Sequence, residues 1–451
     1  MRTFGVEEEL LLVNAATGVP VALADLVARH GSGGREDDDA EPATTAAAAT
    51  APPDAARAAI AGPAGAGPVV STGAAGRPGA TAGAIAACAP LSTASAPANG
   101  NGRRNGNGRH NGNGNGKDEA DDELVPELQR EQIETDTSPC SSLDELASQL
   151  AERRSMAARA AHRMGAEVAA LATSPLPVEP SISLDERYRR MAELYAMTAQ
   201  EQLTCGCHVH VSVASEDEGV AVLDRIRPWL PPLLAVSANS PFWQGRDSGY
   251  SSYRRQVWGR WPSSGPTGLF GTPRVYHETI SAMLETGALL DEGMVYFDAR
   301  LSRRYPTVEI RVADVCLRVT DAVLLASLAR ALVETAAREW RDGRPPQPVR
   351  TESLHLASWR ASRSGLGGDL VHPVTGRAEP AEAVIRALLD HAGDALAAAD
   401  AEADHVGATN DLVQALLARG NGAILQRKVY GSTGELPAVV RNAVAHTLTV
   451  E

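Results

Sequence analysis

Three short segments of this 451-residue chain alternate charged or coordinating side chains with apolar ones. The first is Gly5-Val6-Glu7-Glu8-Glu9-Leu10. In an extended strand successive side chains point to opposite faces, so Glu7 and Glu9 share one face and Glu8 takes the other. Two carboxylates about 7 Å apart repel unless a cation or a basic group sits between them. A solvated acidic edge strand is the plainer reading of the same six residues. The second segment runs Thr204-Cys205-Gly206-Cys207-His208-Val209-His210-Val211-Ser212. Its Cys205, Cys207, His208 and His210 suggest a zinc centre, but alternation sends the cysteines one way and the histidines the other, and four such ligands do not converge on one tetrahedral ion. Small buried thiols on the core side are the other account of the cysteines. The third segment, Pro306 to Asp314, places Val308, Ile310 and Val312 on one face and Thr307, Glu309 and Arg311 on the other. Side by side, three such strands make one sheet face suited to divalent cations next to an anionic ligand. Carboxylates with some imidazole favour magnesium or manganese over zinc.

A second concentration lies between Ser237 and Trp261, where Trp243, Tyr250, Tyr253, Trp258 and Trp261 mix with Arg246, Arg254, Arg255 and Arg260. Aromatic residues are only 4% of the chain, so the cluster reads either as surface packing or as the wall of an amino-acid site. Tyr250 is the best single substrate-contact candidate in it. Gly420-Asn421-Gly422 with Gln426 and Arg427 suits a nucleotide contact or a helix end equally. No G-x-x-x-x-G-K-[ST] motif occurs, so a P-loop is excluded.

Elements must position these residues. Residues 31–122 hold no aromatic side chain, and the stretch ends in an Asn-Gly repeat from Asn99 to Gly116. It cannot bury enough apolar surface to offset the entropy of ordering it, so it reads as a disordered insertion. The folding part is then 1–30 with 123–451. Glu127 to Glu134 reads as a strand. Ser142-Leu143-Asp144-Glu145 opens a long Ala-rich helix reaching about Ala172. Further helices are expected near 185–199, 216–238, 273–288, 320–341, 378–399 and 404–419, with strands at 203–213 and 305–315. Strands and helices do not alternate as βαβ units, which predicts an α+β fold with a largely antiparallel sheet. A net charge of -14 lacks the electrostatic footprint of a nucleic-acid binder. No run of 18 apolar residues occurs to span a membrane, and the N-terminus has no apolar signal region. Five cysteines form no disulfide framework, so the expected location is the cytoplasm.

The segments GVEEELLLV, EQIETDTSPC, YRRM, TCGCHVHVS, SANSPFWQGRDSGYSSYR, VWGRWP, LLDEGMVYFDAR and YPTVEIRVADVC occur in one order. Together they resemble the glutamate–cysteine ligase type 2 family, the ATP-dependent carboxylate–amine ligases with a glutamine-synthetase-like fold. The resemblance covers residues 1–30 and about 123–430, and the insertion has no counterpart in it. It implies a curved, largely antiparallel sheet with helices on its outer face. It also implies a metal shell of Glu7, Glu9, Glu134, His208 and Glu309, with Arg311 and Glu309 at the catalytic centre and Arg311 on phosphate. Arg190 is implied as a further anion contact, and Tyr250, Arg254 and His210 as substrate contacts. The family pattern also pairs Glu127 with Glu134, but a spacing of seven puts them on opposite faces of a regular strand, so Glu134 alone is kept. The implied substrates are ATP, glutamate and an amine such as cysteine, with magnesium or manganese; neither nucleic acid nor membrane is a partner, and homo-oligomerisation stays open. Phosphoryl transfer to nitrogen of the phosphagen-kinase type, a zinc-binding protein and a non-catalytic relative also remain open at this point.

Loop closure depends weakly on loop length, and a disordered insertion contributes few contacts. Deleting residues 35–118 is therefore expected to leave both the melting temperature and ATP turnover nearly unchanged. Loss of soluble protein on deletion would show the segment to be structural.

Overall fold

The computed structural model describes residues 2–31, 124–400 and 408–449. The stretch read from the sequence as a disordered insertion lies outside the described residues. In chain order the strands are β1 (Phe4–Asn14), β2 (Val125–Pro126), β3 (Gln132–Asp136), β4 (Ala166–Ala169) and β5 (Gly206–Ser212), a small hairpin of β6 (Phe242–Trp243) and β7 (Arg246–Asp247), then β8 (Ala299–Leu301) and β9 (Thr307–Asp314), and a second hairpin of β10 (Asp369–Val371) and β11 (Ala378–Pro380). Seven of them form one sheet in the order β2-β3-β1-β5-β9-β8, with β4 paired to the far half of β1. Every strand pair in it is antiparallel. The fold is α+β, and β1 is the strand on which its neighbours register.

One face of the sheet is apolar. Val6, Val209, Val308, Ile310 and Val312 are buried there with Leu143, Leu146 and Leu150 of the helix Leu143–Arg163, and with residues of the helices Leu230–Ser237 and Val319–Arg341. Ser142 caps the first of these helices, its hydroxyl accepting from Glu145 N at 3.2 Å. The Glu145 carboxylate accepts from Ser141 N at 2.8 Å, one residue further back than in a regular capping box.

Several expected boundaries shift, each for a local reason. The Ala-rich helix stops at Arg163 and not near Ala172, because Gly165 turns the chain at φ +70° and Ala166–Ala169 pairs with β1. The helix read at 185–199 is broken at Ala196, which has a φ of 46°. Glu127 and Glu134 do not share a strand: Glu127 follows β2 in the connection to β3, and only Glu134 is in the ladder. Helices at Thr351–Ser364, Gly422–Thr433 and Leu436–Thr447 lie where none was expected.

Glu8, alone among the three consecutive glutamates, points to the apolar side, where it is completely buried. Arg154, equally buried, meets it with two bonds, Nε to Oε2 at 2.8 Å and Nη2 to Oε1 at 2.6 Å. The remaining guanidinium donors reach the carbonyls of Cys316, Leu317 and Thr447 at 2.7, 3.2 and 3.0 Å. One side chain thus joins β1 to the end of β9's connection and to the C-terminal helix. Removing one partner of such a pair strands a buried charge, which costs about 3–5 kcal/mol. Arg154→Met is expected to lower the stability to urea by that amount. A loss below about 1 kcal/mol would mean that the pair is not what fixes β1.

Candidate functional site

The opposite face of the sheet collects the polar residues through its register. Glu9 pairs with Glu134 across β1 and β3, and Glu7 with His208 across β1 and β5. His210 pairs with Glu309 across β5 and β9, and Glu309 with Arg300 across β9 and β8. Directly opposed residues in an antiparallel pair project from the same face. A bulge between Cys207 and Val209 leaves His208 outside the β5–β9 register and aligned with β1 alone.

Two groups of potential ligands result. Glu7, His208 and Glu309 each offer an atom within 4.8 Å of the others, and so do Glu9, Glu127 and Glu134. The groups differ in electrostatics. Burial pushes Glu7 up, but His208 and His210 outweigh it and hold the carboxyl well below its usual range. His208 Nδ1 lies 3.1 Å from Glu7 Oε2, and His210 Nε2 lies 3.0 Å from Glu7 Oε1. With Nδ1–H turned to Glu7, His208 keeps a lone pair on Nε2, a buried atom with no hydrogen-bond partner. Burial and then Arg311 bring this imidazole down to about 4, so it is neutral. Burial opposes the charged form of His210 too, yet Glu7 leaves it above the usual value. Glu309 is nearly buried between two arginines. Arg300 donates to it at 2.7 and 3.1 Å, Arg311 is its other ion-pair partner, and against burial Arg311, Arg300 and His210 hold it at about 2.

The second group has less compensation. Burial and Glu127 push Glu9 up to about 7, in spite of Arg254 and of the Gly206 N–H that donates to it at 2.6 Å. Burial, Glu127 and Glu7 drive Glu134 well above the usual range. Three carboxyls converge here and two of them, Glu9 and Glu134, resist ionisation; a divalent cation would relieve that, and all three supply hard oxygen ligands.

Both groups line a cavity of about 1040 Å³, with Arg187, Arg300, Arg311, Trp258, Trp261 and Tyr296 among its walls. Of the residues expected from the sequence, the structure brings Glu7, Glu9, Glu134, His208, His210, Glu309 and Arg311 to this cavity. Three others are not there. Arg190 projects from the helix Glu186–Tyr195 into solvent, paired with Glu186 at 2.6 Å, because Arg187, Tyr188 and Met191 take the cavity side of that helix. Tyr250 lies against the helix Thr351–Ser364, accepting from Trp359 Nε1 at 3.3 Å and lying under Arg363. Arg254 is 1% exposed and is not among the residues that line the cavity. Its guanidinium packs where a Cβ on Gly206 would be, so any side chain at 206 would have to displace it.

Glu127 and Arg300 are the residues that the sequence reading left out. A two-residue β2 followed by a turn returns Glu127 to the acidic group, and nothing in the spacing signals that turn. Arg300 was legible in principle, as the polar member of Ala299-Arg300-Leu301. The zinc reading fails on packing, because Cys205 and Cys207 lie in two different buried apolar clusters. Neither ligand group found among the described residues contains a cysteine.

The chain matches the model of glutamate-cysteine ligase family 2 over residues 74–441. It is 57% identical over 326 residues to a Streptomyces avermitilis protein provisionally named glutamate–cysteine ligase 2-1, covering 72% of this chain and 89% of the relative. A Streptomyces coelicolor protein, provisionally named glutamate–cysteine ligase 2, is 56% identical over 331 residues, 73% of this chain and 90% of the relative. In fold the chain resembles the glutamate–cysteine ligase of Francisella tularensis, solved in complex with AMP, at a TM-score of 0.55 and 10% identity, covering 99% of this chain and 89% of that one. A bifunctional glutathione synthetase from Pasteurella multocida gives a TM-score of 0.55 at 13% identity, covering 99% of this chain and 52% of that one. At such identities the likeness concerns the fold alone.

A carboxyl whose folded value is raised stabilises the fold fully below its usual value near 4.5 and loses that contribution as pH rises through the folded value. Glu9 and Glu134 are both of this kind, so the metal-free protein is expected to lose melting temperature from about pH 5 to pH 8. Glu134→Gln should flatten that decline, raise the metal-free melting temperature at the alkaline end, and weaken stabilisation by added magnesium. Parallel pH curves for the two proteins would show that Glu134 is not under this strain. Glu309→Gln should behave in reverse and destabilise, since Arg300 and Arg311 lose a shared counter-charge.

Proposed function

The chain belongs to glutamate–cysteine ligase family 2, and from that premise we propose that it is an ATP-dependent carboxylate–amine ligase. The proposed reaction joins the γ-carboxylate of glutamate to the amine of cysteine through γ-glutamyl phosphate. The observation that carries this reading is the sheet face itself: two ligand groups and two arginines converge on one cavity.

Amide formation from a free carboxylate and an amine is uphill in water, so the carboxylate must first gain a leaving group. A γ-carboxylate oxygen attacks the γ-phosphorus of ATP, the bond to the β-phosphate oxygen breaks, and ADP departs. The amine nitrogen then attacks the acyl carbon, phosphate leaves, and the ammonium proton is lost to solvent. Charge accumulates on the transferred phosphoryl oxygens, and fixed donors that meet it there lower the barrier. In this reading Arg311 is that donor, and Glu309, shared with Arg300, keeps its guanidinium from turning away. Glu7, His208 and Glu309 would hold one magnesium ion and Glu9, Glu127 and Glu134 another. When bound, these ions supply neutralisation of phosphate charge. Because the substrate carries the covalent intermediate, no cysteine nucleophile is required. The cysteine thiols of the described residues are buried and free, and burial pushes Cys207 far from its reactive form.

The test is release of ADP from ATP and glutamate with magnesium, across a panel of amines, with mass spectrometry of the products. Cysteine is expected to give γ-glutamylcysteine, and Arg311→Met to lower kcat by about 100- to 1000-fold with the fold intact. ADP release that no amino acid stimulates would sink the reading, and phosphorylation of a guanidino compound would redirect it to phosphoryl transfer.

A further inference from the structure

We propose that Trp258 is a positioning residue of this site, its indole ring holding the Arg311 guanidinium in the orientation that the transferred phosphoryl group requires. The proposal rests on the ligase reading in one respect, that Arg311 meets ATP. Trp258 ends the short helix Arg254–Trp258 and lines the cavity. The guanidinium carbon of Arg311 lies 6.0 Å from the centre of its ring, and that of Arg254 lies 5.4 Å from it. Both distances are within the range of cation–π attraction, which is strongest for tryptophan and favours the planar arginine head. Both arginines also have a buried Nε with no hydrogen-bond acceptor. The indole thus adds to each guanidinium a contact that its hydrogen bonds do not supply.

Arg311 needs such support because its surroundings offer competing anions. Glu309 is its ion-pair partner, and Glu7 and Glu9 both act on its charge. Ion pairing alone would let the guanidinium turn among three carboxylates. The ring is itself braced, by Tyr296 at 4.8 Å and by Trp261 at 6.5 Å between centroids. The indole and Glu309 together restrict how the Arg311 guanidinium can turn. Trp258 thus acts through Arg311 and is not itself the phosphate contact.

A double-mutant cycle tests this, using Trp258→Leu, Arg311→Met and the pair, with Trp258→Phe as the conservative variant. The readouts are melting temperature, the calorimetric Kd for ATP with magnesium, and kcat and KM for ADP release. Trp258→Leu is expected to lower kcat about 3- to 30-fold, the worth of a desolvated cation–π contact, with the KM for each amino acid held within about twofold. Trp258→Phe should recover most of the loss, and in the Arg311→Met background Trp258→Leu should cost nothing further. An undiminished Trp258→Leu effect in that background overturns the proposal. So does a rise in amino-acid KM at constant kcat, which would make the indole a substrate wall. If Trp258→Leu does not fold, tetrafluorotryptophan at 258 keeps the shape and weakens the ring's negative face; unchanged kcat and ATP affinity would then overturn the idea. An unsubstituted protein that fails to bind ATP sinks the ligase reading and this proposal together. ATP binding with independent, additive effects of the two substitutions sinks this one alone.

Discussion

The site depends on β1 keeping its register, and the Glu8–Arg154 pair is the interaction that holds it. Side chains alternate strictly along a strand, so a slip of one residue would turn Glu7 and Glu9 into the core and Glu8 into the cavity. Arg154 makes that slip costly, because it is wholly buried and its donors are shared between Glu8 and three backbone carbonyls. The apolar residues either side of the acidic run, Val6 and Leu10, add a weaker preference of the same sign. With β1 fixed, β3 brings Glu134 to Glu9 and β5 brings His208 to Glu7. The partners on β9 and β8 follow.

The two ligand groups on that face are unlike in charge. Glu309 is compensated by two arginines and Glu7 by two histidines, so this group is stable as an ionised set. Glu9, Glu127 and Glu134 have mainly one another for neighbours, and two of them resist ionisation. A cation bound by the second group would therefore release protons and relieve repulsion, whereas one bound by the first would enter an existing network. Arg311 acts on both groups, through Glu309 and Glu7 in the first and Glu9 in the second, whereas Arg254 acts on Glu9. Trp258 lies against both arginines.

The aromatic segment divides in a similar way. Trp258 and Trp261 turn to the cavity, while Tyr250 packs with Trp359 and Arg363 on another surface. Residues 250 and 258 belong to one short stretch, yet the helix Arg254–Trp258 intervenes and packs the buried Arg254 against Gly206. Composition locates such a cluster and does not say which of its members share a wall.

The sequence by itself determined the faces. Period-two alternation separates Glu7 and Glu9 from Glu8, His208 and His210 from Cys207, and Glu309 and Arg311 from Val308 and Ile310, because backbone geometry leaves a strand no other choice. It also determined the fold class and the membership of the polar set on those three strands. Tertiary structure decided everything that depends on what a turn or a neighbour does. The turn after β2 returns Glu127 to the acids, the missing Cβ of Gly206 leaves room for the Arg254 guanidinium on the His208 side of the strand, and the rotation of the helix Glu186–Tyr195 selects Arg187 over Arg190. It decided also that Glu309 is shared between two arginines, since Arg300 comes from a strand whose pairing no local pattern encodes. Local periodicity is a property of the backbone, whereas these placements are set by contacts between residues far apart in the chain.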